Sequence, residues 1–347
     1  VESLTPRIVM SDRLRWGILG TGTIARRFAT DLRDSRTSRL VAVGSRAQET
    51  ADRFAAEFGG VRGHGSYTAL LADPTVQAVY IAPPHPQHLE WTLAAAAAGK
   101  HILCEKPLAL RGSDAQRMVE VARRHGVLLM EAFMYRCHPQ TARLVELVRS
   151  GAIGELRMID ATFAVDVPFD AAHRAYNREL GGGGILDLGC YPVSFARLFA
   201  GVAQGRAFVE PVQFKGVGRL NPTTHVDEYA AAVATFGNGI VARLACGFAG
   251  PREICARLFG TGGLIEIPTP FFPGAEARFT LRRAGAAEAE EIAVPATAPL
   301  YALEADAVAE ALARGEREVA AMPLADTLGN MAALDEWLTQ LGVSYEC

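Results

Sequence analysis

No two cysteines in this chain stand at C-x-x-C spacing, and no Cys/His cluster has the spacing of a zinc site. The six cysteines (Cys104, Cys137, Cys190, Cys246, Cys255 and Cys347) are scattered. A chain of 347 residues buries enough surface to do without staples. Reduced thiols in a cytoplasmic protein, and no bound metal, are therefore the expectation. Charge of one sign is missing too: 35 Lys and Arg against 38 Asp and Glu leave a formal net charge of −3. With no basic face or polybasic run, neither nucleic acid nor a membrane surface is an expected partner. Long apolar runs are also absent. Leu93 to Ala98 is far too short to span a bilayer, and Val1 to Arg13 has no apolar core of signal-peptide length.

What the chain does have, from Leu14 onward, is a rhythm. Short apolar runs at Arg15–Gly20, Leu40–Gly44, Val61–Ser66, Val76–Ala82, His101–Cys104 and Val127–Met130 read as strands. Helical patterns at Thr23–Leu32, Gln48–Phe58, Glu90–Ala98 and Ser113–His125 fall between them. Continuous apolar strands alternating with helices imply a parallel sheet covered on both faces, and right-handed crossovers make it doubly wound. After about Phe133 the rhythm changes. A helix at Gln140–Arg149 precedes strand patterns at Leu156–Val165, Phe208–Arg219, Glu228–Phe236, Ile240–Phe248, Glu253–Gly260 and Leu264–Ile267. Gly237-Asn238-Gly239 joins two of these as a hairpin. Two helices, Tyr301–Arg314 and Leu324–Leu341, end the pattern. The fold class expected is an α/β Rossmann domain, residues 14–133, followed by an α+β domain with an open, mostly antiparallel sheet, residues 134–347. The last helices are free to pack back on the first domain.

Four stretches carry chemistry. Gly20-Thr21-Gly22-Thr23-Ile24-Ala25 follows the first strand and opens the first helix. Gly20 permits the tight turn, and Gly22 lets the backbone approach a diphosphate at the helix N-terminus. A purely structural turn is the bland alternative. The second strand ends in Gly44-Ser45-Arg46, without the acidic residue that would accept the ribose hydroxyls of NAD. Ser45 and Arg46 suit a 2′-phosphate, so NADP(H) is favoured over NAD(H). The alternative is a capping serine and a solvated arginine. Cys104-Glu105-Lys106-Pro107 ends the fifth strand, where a lysine can stabilise charge on a substrate oxygen, or simply precede a turn. In Gly181-Gly-Gly-Gly-Ile-Leu-Asp187-Leu-Gly-Cys-Tyr191-Pro192, Asp187 and Tyr191 share a face of a helical turn, as an acid–base device or simply as a buried hydrogen-bonded pair. Proline is tolerated only in a first turn, so the regular helix is expected to start near Tyr191.

In this order the pieces resemble the glucose–fructose oxidoreductase / inositol dehydrogenase / MocA family, from about Leu14 to Gly342. The resemblance implies a catalytic lysine at Lys106 and an acid–base residue at the last position of Asp187-x-x-x-Tyr191. The commonest form has histidine there. Tyrosine is similar to the branch containing glucose–fructose oxidoreductase, dimeric dihydrodiol dehydrogenases and D-xylose dehydrogenases. Tyr80-Ile-Ala-Pro-Pro-His85-Pro-Gln-His88, Glu131-Ala-Phe-Met-Tyr135-Arg136-Cys-His138-Pro and Arg178-Glu-Leu-Gly-Gly-Gly agree with that branch. Carried over, Lys106 and Tyr191 are the catalytic pair and Asp187 their polar partner. Gly20, Gly22, Thr23, Ile24, Ser45, Arg46, Pro83, His88, Glu105 and Lys106 are cofactor contacts. Arg136 and Arg178 are weaker candidates for substrate contact, and His225 and Asp227 have no assigned role. The resemblance implies an NAD(P)-dependent dehydrogenase acting on a sugar or cyclic diol. A keto-sugar reductase, possibly nucleotide-linked, and a non-catalytic dinucleotide sensor are the alternatives. It also implies a homo-oligomer, a dimer first, joined through the free face of the second sheet.

Overall fold

The computed structural model describes residues 13–250 and 252–345; residues 1–12 and Cys347, both drawn on above, lie outside them. The described chain forms two compact units. One gathers the residues up to Leu108, Ser113–Cys137 and Thr297–Leu324; the other holds Ala109–Gly112, His138–Ala296 and the residues from Ala325 onward.

The first unit alternates β1 (Leu14–Leu19), α1 (Thr23–Asp31), β2 (Ser38–Gly44), α2 (Gln48–Glu57), β3 (Arg62–His64), α3 (Tyr67–Leu71), β4 (Ala78–Ile81), α4 (His88–Ala97), β5 (His101–Glu105), α5 (Gly112–His125) and β6 (Leu129–Ala132). The six strands are all parallel, in the order β3-β2-β1-β4-β5-β6. That order reverses between β1 and β4, and the crevice outside the strands' carboxyl ends at such a switch point is where ligands bind. Successive residues Val79, Tyr80 and Ile81, or Ile102, Leu103 and Cys104, are all buried, as a sheet covered on both faces requires. Phe28 of α1 stacks on Tyr80 at 4.0 Å and meets Trp16 edge-on at 5.5 Å. Burying such a ring contributes about 1.5–3 kcal/mol.

The helix Leu300–Ala313 belongs to this unit, although some 160 residues of the other unit precede it in the chain. Asp306 fastens it. Its carboxylate accepts from Ser35 Oγ (2.5 Å), Thr37 Oγ1 (2.6 Å) and Thr37 N–H (3.1 Å) at the start of β2. At the helix N-terminus, Tyr301 N–H donates to Asp31 Oδ2 at 3.3 Å.

The second unit is built on α6 (Pro139–Arg149), β7 (Leu156–Ala164), α7 (Cys190–Val202), β8 (Gln213–Leu220), β9 (Asp227–Thr235), β10 (Val241–Gly247), β11 (Glu253–Gly260), β12 (Gly263–Ile267), β13 (Glu276–Arg283), β14 (Glu290–Pro295) and a last helix, Leu324–Gln340. Its eight strands run β14-β13-β12-β11-β7-β10-β9-β8, antiparallel except where β10 joins β7. One face is apolar by strict alternation: Ile159, Ala161 and Phe163; Ala230, Ala232 and Ala234; Phe279 and Leu281 are all buried. Helices cover that face. Trp337 of the last helix lies so close to β8 that a Cβ on Gly216 would collide with its indole, and Gln340 bonds both Gly216 N–H (2.6 Å) and Phe214 O (2.9 Å). The helical run Arg178–Val202 has the length and hydropathy to cross a membrane, and its apolar window is entirely buried inside the protein, as a core helix is.

Candidate active site

In the first unit, the turn after β1 brings Gly20 to φ +104, a conformation that favours glycine. Gly20 N–H donates to Gly44 O at 3.0 Å, tying this turn to the end of β2. Gly22 is the N-cap of α1 in extended backbone, with no side-chain cap on the helix and no acidic residue in its first turn. A Cβ built on Gly22 would have nothing within 4 Å, so no protein packing demands glycine there. An uncapped helix N-terminus beside open space is what the diphosphate of a dinucleotide fits. The amides of Thr23 and Ile24 point outward, and the helix dipole favours the negative charge.

Ser45 is buried at the end of β2, its N–H bonded to His64 O at 3.0 Å. Arg46 is exposed and has no ion pair among the described residues. Its guanidinium acts on Tyr67, pulling back a phenol pKa that burial raises. No carboxylate stands at either position, so this end of β2 suits a ribose phosphate better than free ribose hydroxyls.

The loop after β5 is held by buried polar groups. Tyr80 hydroxyl donates to Glu105 Oε1, and Lys106 N–H donates to Glu105 Oε2 at 3.2 Å. Leu108 N–H donates to Glu131 Oε1 at 2.8 Å. The Lys106–Pro107 peptide is cis. Glu304, on the helix Leu300–Ala313, is wholly buried, and its carboxyl is pushed well above the usual range by burial and then by Glu105.

His88 is fully buried, with Nδ1 3.0 Å from Pro107 O and Nε2 3.0 Å from Pro83 O. Burial lowers its pKa against the pull of those carbonyls. The sequence reading made His88 a cofactor contact. In the structure both ring nitrogens lie on backbone carbonyls, and the ring ties the end of β4 to the lysine loop. Pro83, also expected to touch cofactor, is buried and takes part through its carbonyl. Arg136 is buried, and its Nε donates to Ala321 O at 2.9 Å, which makes it a tie within the first unit.

In the second unit, Gly181–Gly184 lead into a π-helical turn, Ile185–Gly189, that runs straight into α7. The helix starts at Cys190, one residue before Tyr191, with Pro192 inside the first turn, as the sequence implied. Such π turns recur at functional sites. This one carries Asp187, with Tyr191 following in α7, and both are buried. Arg174, from the loop before the turn, pairs with Asp187 Oδ2 at 3.1 Å while its own side chain stays 59% exposed. The Tyr191 ring packs against Phe163 and Phe271, each at 5.3 Å, and Phe272 at 5.8 Å. Arg178 is occupied elsewhere: its guanidinium donates to His225 O (3.1 Å) and Ser344 O and lies over the Tyr345 ring at 5.6 Å.

The two side chains that sequence reasoning singled out, Asp187 and Tyr191, lie on this turn and the start of α7, and it missed Arg174, whose polar loop context sets it apart from no other arginine. It also missed Phe271 and Phe272, which sit between strands. Among the described residues no group of three His, Cys, Asp or Glu side chains is placed to hold a metal.

Comparison with known proteins agrees with this arrangement. Residues 14–133 match the model of the oxidoreductase family with an NAD-binding Rossmann fold, and residues 141–266 match the GFO/IDH/MocA C-terminal domain. The trans-1,2-dihydrobenzene-1,2-diol dehydrogenase of Mus musculus is 34% identical over 96% of this chain and 98% of its own. A D-xylose 1-dehydrogenase (NADP(+)) of Haloferax volcanii is 34% identical over 87% of this chain and 90% of its own. The crystal structure of KijD10, a 3-ketoreductase from Actinomadura kijaniata in complex with NADP and TDP-benzene, superposes with a TM-score of 0.83 at 31% identity, covering 95% of this chain and 98% of that one. The uncapped α1, the lysine loop and the Asp187–Tyr191 turn are thus parts of an NAD(P)-dependent oxidoreductase, and the chain belongs to the GFO/IDH/MocA family.

Proposed function

We propose that this chain moves a hydride between NADP(H) and the carbinol or carbonyl carbon of a sugar or cyclic diol. One observation carries the reading: Asp187 and Tyr191 are buried on one continuous helical turn, with an arginine on the first and three phenylalanines around the second. The nicotinamide, when bound, takes or gives the hydride. The rest falls to the chain. The first amides of α1 bind diphosphate oxygens, and Ser45 with Arg46 takes the 2′-phosphate. In alcohol oxidation Tyr191 accepts the hydroxyl proton as the C–H bond gives up its electron pair; in carbonyl reduction it returns that proton. Lys106 steadies negative charge on the reacting oxygen. Asp187, oriented by Arg174, accepts a neighbouring hydroxyl, and the phenylalanines keep water from the phenol.

The likeness to a 3-ketoreductase held in complex with NADP and TDP-benzene supports a second reading, in which the natural direction is reduction of a nucleotide-linked keto-sugar. NADPH absorbance separates the two. Appearance of NADPH with D-xylose or trans-1,2-dihydrobenzene-1,2-diol is the expected result. Consumption of NADPH with a dTDP-linked keto-sugar alone would install the second reading. No turnover with any of them, despite cofactor binding, would favour a sensor. A cytoplasmic setting is part of the proposal, supported by five free thiols among the described residues.

We also propose a homodimer through the uncovered sheet face of the second unit. Across that face one cross-strand row reads Val233, Arg243, Asp160, Arg257, Glu266. Within it Arg243 pairs with Asp160 at 2.5 Å and Arg257 with Glu266 at 3.3 Å. Alternating charges in one row can meet their own copy across a twofold axis. Val233 at the end of the row (46% exposed), with Val217 (70%) and Tyr229 (46%) beside it, supplies apolar area. Sedimentation at micromolar concentration should give twice the chain mass; a monomer would contradict the proposal.

A further inference from the structure

Asp227 opens β9 and is wholly buried. Its Oδ2 accepts from Ile185 N–H at 2.6 Å, and the nearby Gly184 amide favours the charged carboxyl. The backbone is moulded around it. A Cβ on Gly183, which sits at φ +113, would collide with Asp227 Oδ1 and come within 2.8 Å of the Tyr345 hydroxyl. One on Gly184 would stand 3.3 Å from Asp227 Oδ2. Tyr345 hydroxyl donates to Gly182 O, closing the same loop from the other side. Gly183 is therefore shaped by this carboxyl group, while Gly184 passes between it and Gly247 and Gly182 lies against the carbonyls of Arg174, Ala175 and Asn177.

A π turn leaves its first amides without partners inside the helix, and here a buried acid takes that of Ile185. Burial pushes the Asp227 pKa up to about 7, against the pull of the amides of Ile185, Asp227 itself and Gly184. The titratable groups around it are Cys246 on β10, Tyr345 from the C-terminal segment, Glu228 on its own strand and Asp187 on the turn. Of these, Glu228 is bonded to Asn221 and Asp187 to Arg174, and Arg178 lies over the Tyr345 ring.

We propose that Asp227 is the positioning residue of the Asp187–Tyr191 turn: its carboxyl, anchored in β9, holds the Ile185 amide against the closely packed Gly183 and Gly184 and so fixes the direction in which both side chains leave the turn. This rests on the reading that Asp187 and Tyr191 serve the reaction, yet its test needs no substrate. Local opening of the turn exposes the carboxyl to water, where an aspartate titrates near 3.9. The closed form binds the proton more tightly, so stability of the closed turn is full below that value and is lost as pH rises towards 7.

Hydrogen–deuterium exchange of peptides covering 184–191, corrected for intrinsic rates, should show protection falling by up to about tenfold per pH unit between pH 5 and 7, then levelling. Asp227→Asn, which keeps an acceptor for Ile185 N–H, should keep the protection and erase the slope. Asp227→Ala should lower protection of these peptides at least about tenfold while the sheet strands exchange as before. With D-xylose and NADP+ as probe, kcat should fall about tenfold in Asp227→Ala and stay within about threefold in Asp227→Asn, with the KM for NADP+ unmoved in both. A flat wild-type exchange profile from pH 5 to 8, or an alanine variant with wild-type protection, would overturn the proposal even if the alanine variant folded poorly in other respects. Failure of the wild type to oxidise D-xylose would count against the substrate reading alone, because the exchange profile stands without it.

Discussion

Tyr191→Phe should lower turnover by about 100-fold or more while the Kd for NADP+ stays within about twofold. The substitution is unusually clean here. Phenylalanine keeps the ring that packs on Phe163, Phe271 and Phe272, so the aromatic cluster and the start of α7 keep their shape. Only the hydroxyl is lost. If that hydroxyl is the proton acceptor, hydride cannot leave a carbinol without building a protonated carbonyl, and the cost lands on kcat. Alcohol oxidation needs the phenolate to take the hydroxyl proton and carbonyl reduction needs the phenol to give it, so the wild type should oxidise faster at mildly alkaline pH than at pH 6 and reduce faster on the acidic side. Lys106→Met should do at least as much damage, since the charge on the reacting oxygen would lose its counterion. Single-turnover NADPH absorbance across pH 6 to 9 measures all of this. A phenylalanine variant with most of its turnover and an unchanged pH profile would move the proton to Asp187 or to water.

Much of this fold was legible because its signals are local. Unbroken apolar runs such as Ala78–Ile81, alternating with helical patterns and punctuated by glycine at Gly20 and Gly59, point to a doubly wound parallel sheet, which is what forms. The missed elements carry weaker signals. α3 is only five residues, too short for a period to register. β13 alternates buried Ala277, Phe279 and Leu281 with exposed Glu276, Arg278 and Arg282, β14 beside it buries no residue fully, and their charge disguises the sheet edge they form. Assignment of Leu300–Ala313 to the first unit rests on Asp306 meeting Ser35 and Thr37, a pairing across about 270 positions that no local pattern announces. The site divides in the same way. Glycine spacing, E-K-P and D-x-x-x-Y are local and were readable. What His88, Arg136 and Arg178 bind was not, because an imidazole or guanidinium takes whichever carbonyl tertiary packing delivers. Asp227 was visible as an acid opening a strand, and its meaning came only with the glycine backbone folded over it.

Arg46→Ala should raise the Kd for NADP+ roughly ten- to a hundredfold and leave NAD+ binding nearly unchanged. Arg46 stands exposed just past β2, with no ion pair among the described residues, so removing it should cost the fold little. The loss would fall on the ligand. A charge-assisted hydrogen bond to a phosphate contributes about 1.5–3 kcal/mol, and each 1.4 kcal/mol is tenfold in affinity. NAD+ lacks the 2′-phosphate and has nothing to lose. Ser45, buried beside it with its N–H held by His64 O, offers a hydroxyl but no charge, so Ser45→Ala should cost NADP+ less than about tenfold. The converse change is the sharper test. Ser45→Asp places a carboxylate where the ribose lies, repels the 2′-phosphate and accepts the free hydroxyls of NAD+, so the preference should invert. Isothermal titration with both cofactors reads these shifts without any substrate. Equal losses for NADP+ and NAD+ in Arg46→Ala would mean that the guanidinium meets the diphosphate or the adenine instead, and the preference for NADP(H) would then need another origin.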